Sequence, residues 1–197
     1  MHFVAFLGCD GSGKSAVISG LTAALRESGN QVCLGHWRPN VFSSAPSERV
    51  LATADDPHGQ IPRGLFSSLL KLAWLWFNWW IGWLFTLRKA KSQGYLLFDR
   101  FHGDLLVDPI RYRYGGPMGV ARLAVRLMPQ PDLVIFLDAE PEVLLSRKQE
   151  VSREALMAAR IRYLALCESN PSYRVVDASQ GLSSVIEDVQ LHVRRLS

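Results

Sequence analysis

The run Gly8-Cys9-Asp10-Gly11-Ser12-Gly13-Lys14-Ser15 fits the spacing G-x-x-x-x-G-K-[ST], a pattern expected on the order of 0.003 times by chance in a chain of this composition. Its chemistry is phosphate binding. Glycines let backbone N–H groups turn inward as an anion nest, a following helix adds its positive end, the lysine bridges the outer phosphates, and the serine hydroxyl suits a magnesium ion. Gly8, Asp10, Gly11, Ser12, Gly13, Lys14 and Ser15 are therefore the candidate contacts to a nucleoside triphosphate, with Ser15 a metal ligand. A second chemical pair, Asp99-Arg100, follows the apolar run Tyr95–Phe98. A carboxylate there could hold a metal-bound water or take a proton from a hydroxyl, and the arginine could grip an anionic acceptor. Read otherwise, the pair is an ion pair at the end of a strand.

These residues need elements to carry them. His2–Leu7 is a short β-rich run before the glycine loop, and Lys14–Ser28 reads as a helix closed by Gly29. Gln31–Leu34, Tyr95–Phe98, Asp132–Leu137 and Tyr173–Val176 are further short apolar strands. Helices are predicted over about 64–91, Pro117–Met128, Pro141 to about Glu150, Ser152–Ser169 and Leu182–Leu196. Strands alternating with helices imply an α/β fold: a five-stranded parallel sheet flanked by helices on both faces, of P-loop NTPase type, with ligands at the strands' carboxyl ends. The stretch His36–Pro62, rich in Pro, Ser and Asp, is a long connection of the kind that binds something.

Composition narrows the partners. With 197 residues, 20% charged and 48% hydrophobic, the chain suits one domain, 1–197, and excludes disordered, collagen-like and disulfide-stapled classes. Its net charge of +4 is too small and scattered for a nucleic-acid footprint, whereas its many arginines suit a small anionic ligand. Three cysteines without metal-ligand spacing point to a reducing cytoplasm, and the first ten residues lack a secretory n-region. His36, His58 and His102 share no metal spacing.

Leu65–Leu87 carries one charge, Lys71, and is long enough to span a bilayer. Its polar residues instead fall in one stripe: at about 100° per residue Ser67, Lys71, Asn78, Gly82 and Lys89 lie within roughly 60°, as in a helix lining a site. A transmembrane span is thus not expected, and the tryptophans from Trp74 to Trp83 read mainly as core or interface.

Several stretches together resemble the thymidylate kinase family of nucleoside monophosphate kinases: GCDGSGKS, the triplet Asp99-Arg100-Phe101, PDLVIFLDAEPEVLLSRK (131–148), ARIRYLAL (159–166) and VVDASQ (175–180). The resemblance spans nearly the whole chain. It implies an ATP- and Mg²⁺-dependent kinase with Asp10 facing the acceptor (for example a sugar hydroxyl) and Arg100 on the acceptor phosphate; Ser15, from the loop motif, and Asp99, from its carboxylate, are the candidates near the metal. It further implies Arg147 against the donor base, Ala178 and Ser179 beneath that base, and a lid over about 147–160 whose charges are Arg147, Lys148, Arg153 and Arg160. A homodimer built through flanking helices is also implied.

The departures concern the acceptor. Where the family presents an aromatic ring and, one helical turn on, an arginine to thymine, counting back from Asp99 finds Trp74 and Asn78. The family's Arg-Glu-Pro-Gly segment is Trp37-Arg38-Pro39, and its Ser/Ala-Tyr-Gln segment is replaced by Asp108-Pro109 and Arg111–Gly116. Arg38, Arg100, Arg111 and Arg113 still gather on the acceptor edge, which suits an acceptor that already carries phosphate. The leading expectation is ATP-dependent phosphorylation of a nucleoside monophosphate resembling dTMP. Two alternatives stay open: a kinase for a hydroxyl on another small molecule or glycan, with Asp99 or Asp104 as base, and a nucleotide-dependent switch or peripheral membrane module that uses the tryptophan helix.

Overall fold

The computed structural model describes residues 2–37, 64–87, 94–147 and 152–196. Five strands, β1 (His2–Leu7), β2 (Gln31–His36), β3 (Gly94–Asp99), β4 (Leu133–Asp138) and β5 (Tyr173–Asp177), form one all-parallel sheet in the order β2-β3-β1-β4-β5. The expected α/β class and strand number hold. β1, β3 and β4 are buried residue after residue, because a parallel sheet hides both faces under crossover helices.

The register sorts the faces. Phe3 pairs with Leu96, Ala5 with Phe98 and Val134, and Leu7 with Phe136, so these side chains share one face. Helix α2 (Leu65–Gly82, continued by a wider π turn over Trp83–Leu87) lays Trp79 on that face, with ring centroids 6.3 Å from Phe3 and 5.5 Å from Phe98. Farther along it, helix α6 (Arg153–Glu168) stacks Tyr163 on Phe136 at 4.8 Å. Between them lie the one-turn α3 (Asp104–Val107) and α4 (Met118–Arg126). Helices α1 (Lys14–Glu27) and α7 (Leu182–Arg194) pack on each other, while α5 (Pro141–Arg147) packs on α6.

β2 runs two residues past the predicted Leu34, and Gly35 permits it: a Cβ there would come within 2.0 Å of the Phe98 ring on the neighbouring strand. Asp104–Val107, for which no element is predicted, closes one helical turn. The long connection from Arg38 to Arg63, the end of the predicted 64–91 helix and residues 148–151 of the predicted lid fall outside the described residues, as do Lys89 and Lys148.

The stripe predicted on α2 is only partly buried. Asn78 and Gly82 are buried, but Ser67 is exposed and bonds its own turn at Gly64, and its neighbour Ser68 takes the inner position. Lys71 donates to the Tyr112 carbonyl at 2.6 Å, and Ser68 Oγ accepts from Gly115 N–H at 2.9 Å. These polar groups fasten α2 to the 111–115 turn. Of the tryptophans on this helix, Trp79 is fully buried and Trp74 is half exposed. No helix among the described residues is long and apolar enough to cross a membrane.

Candidate active site

The chain reverses its strand order around β1, so the crevice beyond β1's carboxyl end is where an open α/β sheet receives ligands. The 8–15 loop fills that position. Gly11 (φ 85°) and Gly13 (φ 79°) take left-handed backbone, and a Cβ on Gly11 would stand 2.8 Å from the Leu144 carbonyl oxygen on α5. α1 starts directly from Gly13 with no side-chain cap and no acid in its first turn, leaving its leading N–H groups and positive end to an anion. Lys14 is buried, its Nζ donating to the carbonyls of Gly8 (2.9 Å) and Cys9 (3.0 Å). Burial, with the Arg100 charge nearby, lowers its ammonium to about 8, against the opposing pull of Asp99, Asp10 and Asp104. Ser15, the next residue, is exposed.

β3 delivers Asp99 and Arg100 to the same edge. Arg100 adopts φ 63°, a conformation that L side chains reach only at a cost of about 1–3 kcal/mol. What holds it there is a buried charge network. Its Nη1 donates to Asp104 at 2.7 Å and to the Tyr163 hydroxyl at 3.3 Å, and its Nη2 donates to Asp10 at 3.0 Å. Asp104, fully buried, also accepts from the Tyr112 hydroxyl at 2.5 Å and from the Tyr163 hydroxyl. Burial alone would raise the Asp104 carboxyl; Arg100 and the two hydroxyls outweigh it and hold it below the usual range. Burial and the Asp104 charge together push both tyrosine hydroxyls well above their ordinary value.

Arg111 reaches Asp10 from the opposite side, with Nη2 2.9 Å from Oδ2 and Nη1 3.4 Å from Oδ1. Against the effect of burial, Arg100 and Arg111 hold the Asp10 carboxyl down at about 2. Asp10, Arg100 and Arg111 open onto a cleft of about 110 Å³ whose far wall is α6, with Ala159 and Arg162 facing in. Beside it Asp99 Oδ1 is buried without a hydrogen-bond partner among the described residues, and Oδ2 lies 4.0 Å from His36 Nε2.

The residues expected on the donor side converge elsewhere on the same edge. Arg147 Nη1 donates to the Ala178 carbonyl at 3.0 Å, and Ser179 follows in a turn closed on Asp177. The other predicted lid arginines are turned from the cleft. Arg153 pairs with Glu142 in solvent, and Arg160 forks onto Asp138 (2.7 and 2.9 Å) with a third bond to Glu140. Arg113 (φ 52°) is half-buried in its turn, and Arg38 lies outside the described residues. Neither Trp74 nor Asn78 lines the cleft.

No protein-family profile matches the chain. Individual relatives do. It is 29% identical to the thymidylate kinase of Ligilactobacillus salivarius, over 94% of each chain, and 24% identical to the probable thymidylate kinase of Sulfolobus acidocaldarius, over 95% of this chain and 94% of that one. With the probable thymidylate kinase of Pyrobaculum aerophilum it shares 30% identity, over 100% of this chain and 98% of that one. The chain belongs to the thymidylate kinase family.

As a member of the thymidylate kinase family it is a P-loop kinase, an enzyme of the nucleoside monophosphate kinase type. Its site also contains residues that sequence reasoning passed over. Tyr112 lies in the 111–116 segment and Tyr163 in the helix predicted over Ser152–Ser169, and both anchor Asp104. Arg162 is the α6 cation that faces the cleft. Its signal was the helical row Ala155-Ala159-Arg162, in which two small residues make room beside the phosphate loop.

Proposed function

We propose that this kinase transfers the γ-phosphoryl of ATP to the phosphate of a nucleoside monophosphate, with dTMP as the acceptor. The observation that carries the reading is Arg100: a guanidinium fixed by the fully buried Asp104, facing the phosphate loop across Asp10 at 3.0 Å. The names of its relatives support dTMP. ATP with Mg²⁺ suits the residues present, since the uncapped start of α1 supplies N–H donors and the buried Asp99 Oδ1 lacks a partner. Ser15 and Asp99 would hold the metal, directly or through water. When bound, Mg²⁺ supplies charge neutralisation on the donor phosphates.

The chain's own residues do the remaining work by position and charge. Lys14 and the loop N–H groups hold the triphosphate, Arg147 and Ala178–Ser179 bracket the donor base, and Arg100 aligns the acceptor phosphate. Arg153 would join the transferred phosphoryl only after leaving Glu142. A phosphate nucleophile has a second pKa of about 6 and is already ionised at neutral pH, so no strong base is required.

One observation favours a second reading, a hydroxyl acceptor: Asp99, with an unpartnered oxygen and His36 at 4.0 Å, could take a proton. A coupled turnover screen across nucleoside monophosphates, nucleosides and phosphosugars, run beside Lys14→Ala to exclude contaminants, tests both. Turnover with dTMP and a modest loss in Asp99→Asn is expected. Turnover confined to unphosphorylated acceptors, with collapse in Asp99→Asn at saturating Mg²⁺, refutes the phosphate reading.

A further inference from the structure

Asp10 is where two guanidinium groups meet. Arg111 places both terminal nitrogens on its carboxylate, and Arg100 adds a third donor to Oδ1. A carboxylate spanned by a fork in this way presents two oxygens to planar donors, as a phosphate does. Resting on the kinase reading above, we propose that Arg111 and Arg100 form a two-guanidinium receptor for the dianion of a phosphate monoester. In this reading Asp10 is an internal competitor, and the acceptor's phosphate displaces it.

The turn that carries Arg111 is built to hold a fixed position. Its own N–H bonds Asp108 Oδ1 at 3.1 Å. The next residue, Tyr112, gives its carbonyl to Lys71, its hydroxyl to Asp104 and its ring to a face-to-face stack on Trp37, with centroids 4.7 Å apart and planes 10° apart. Gly115 N–H closes the turn onto Ser68 of α2. A side chain presented from so many anchors loses little freedom when it binds, which is what a specificity-determining group requires.

Charge explains why the ligand has to be a dianion. Arg100 is offset by Asp104 and Arg111 by Asp10, and Arg162 on the facing wall adds one more positive charge. A neutral hydroxyl has nothing with which to draw Arg111 off a carboxylate. A monoester dianion does: it has three acceptor oxygens and two charges against one. Arg111 thereby excludes unphosphorylated nucleosides, and it comes from the segment in which this chain departs from the family pattern.

The sign of one substitution decides the matter. If Asp10 competes, Asp10→Asn tightens phosphate binding. If Asp10 instead grips a hydroxyl of the acceptor, Asp10→Asn weakens the binding of any acceptor with that hydroxyl and leaves a bare monoester unchanged. The test is isothermal titration of methyl phosphate at pH 7.5 into the full chain saturated with Mg²⁺ and a non-hydrolysable ATP analogue, so that the phosphate loop is filled. We expect about tenfold tighter binding in Asp10→Asn, about tenfold weaker in Arg111→Met, and intermediate binding in Arg111→Lys, which keeps the charge and loses the fork. Combined with Arg111→Met, Asp10→Asn should tighten binding by less than it does in the wild type, because only the Arg100 contact is then released. Binding to Asp10→Asn that is unchanged, weaker or undetectable overturns the inference, as does an Arg111→Lys value equal to wild type. Should Arg111→Met not fold, Asp10→Asn and Arg111→Lys still carry the test. If the expected order appears but no monophosphate is turned over, the kinase acceptor reading falls and this one stands; dTMP turnover without tightening in Asp10→Asn is the reverse case.

Discussion

Replacing Asp104 by Asn keeps the shape of the side chain and removes its charge from a site with no access to water. The Arg100 guanidinium, itself buried, then faces a neutral amide. Arg100 can only donate, so the amide oxygen has to stay on its side, where Nη1 and the Tyr112 hydroxyl both bond Oδ2. The amide nitrogen is left facing the Tyr163 hydroxyl, whose proton loses its acceptor. Breaking a buried pair from one side costs about 3–5 kcal/mol. For a domain of this size each kcal/mol moves the melting temperature by roughly 2–4 °C, so the variant should melt about 6–20 °C lower. Adding Arg100→Met should return part of that loss, because the orphaned charge leaves with it, while acceptor turnover stays abolished. Differential scanning calorimetry on the wild type, the single variants and the double variant checks both points. A drop below about 2 °C, or a double variant no better than the sum of the singles, would mean that Asp104 is not what fixes Arg100.

Two further expectations concern other parts of the molecule. His102 is fully buried, donates from Nε2 to the Pro129 carbonyl at 2.9 Å and meets the Trp79 ring edge to face; burial lowers its imidazole to about 4. The unfolded chain takes up that proton near 6.5, so stability is full above pH 6.5 and is lost as pH falls toward 4. Between pH 7.5 and 4.5 the wild type should lose about 2–3 kcal/mol more than His102→Gln in urea unfolding, and equal losses would refute it. On α2, Phe66, Leu70, Trp74, Phe77, Ile81 and Phe85 form an exposed apolar row, led by Phe66 at 82% exposure. If that row is the contact of a homodimer, light scattering at micromolar concentration gives twice the chain mass and Phe77→Glu halves it; a wild-type monomer would refute it.

What could be read without coordinates was what is local. β1, β3 and β4 announce themselves because a strand covered on both faces is apolar at every position, and the phosphate loop because its residues are consecutive. The edge strand β2 is legible only to Leu34, because it buries no residue fully and its last two positions, Gly35 and His36, carry no apolar signal. Arg100 was found as a candidate, but its setting was not. Tyr163 comes from 63 positions away and Arg111 approaches Asp10 across 101, pairings that no spacing rule encodes. The arginines of α6 mark the same limit: Arg160 belongs to Asp138 and Glu140, and only the helical row beginning at Ala155 would have pointed to Arg162.

The two halves of the site are therefore built from different materials. The donor half is mostly backbone: left-handed glycines, an uncapped helix start and the carbonyls under Lys14. Backbone groups recognise any triphosphate tail, which is why this half follows a motif shared by many chains. The half proposed to hold the acceptor is made of side-chain charges drawn from β3, the 111–115 turn and α6, and they are tied to one another before any ligand is considered. Such a network can be re-addressed by changing one participant while the donor half stays as it is. Arg111 would be a participant of that kind, since it meets Asp10 at the second residue after Gly8. A new acceptor preference in this chain would thus arise from how Asp10 is shared between the loop and the turn, with the loop's hold on the triphosphate unaltered.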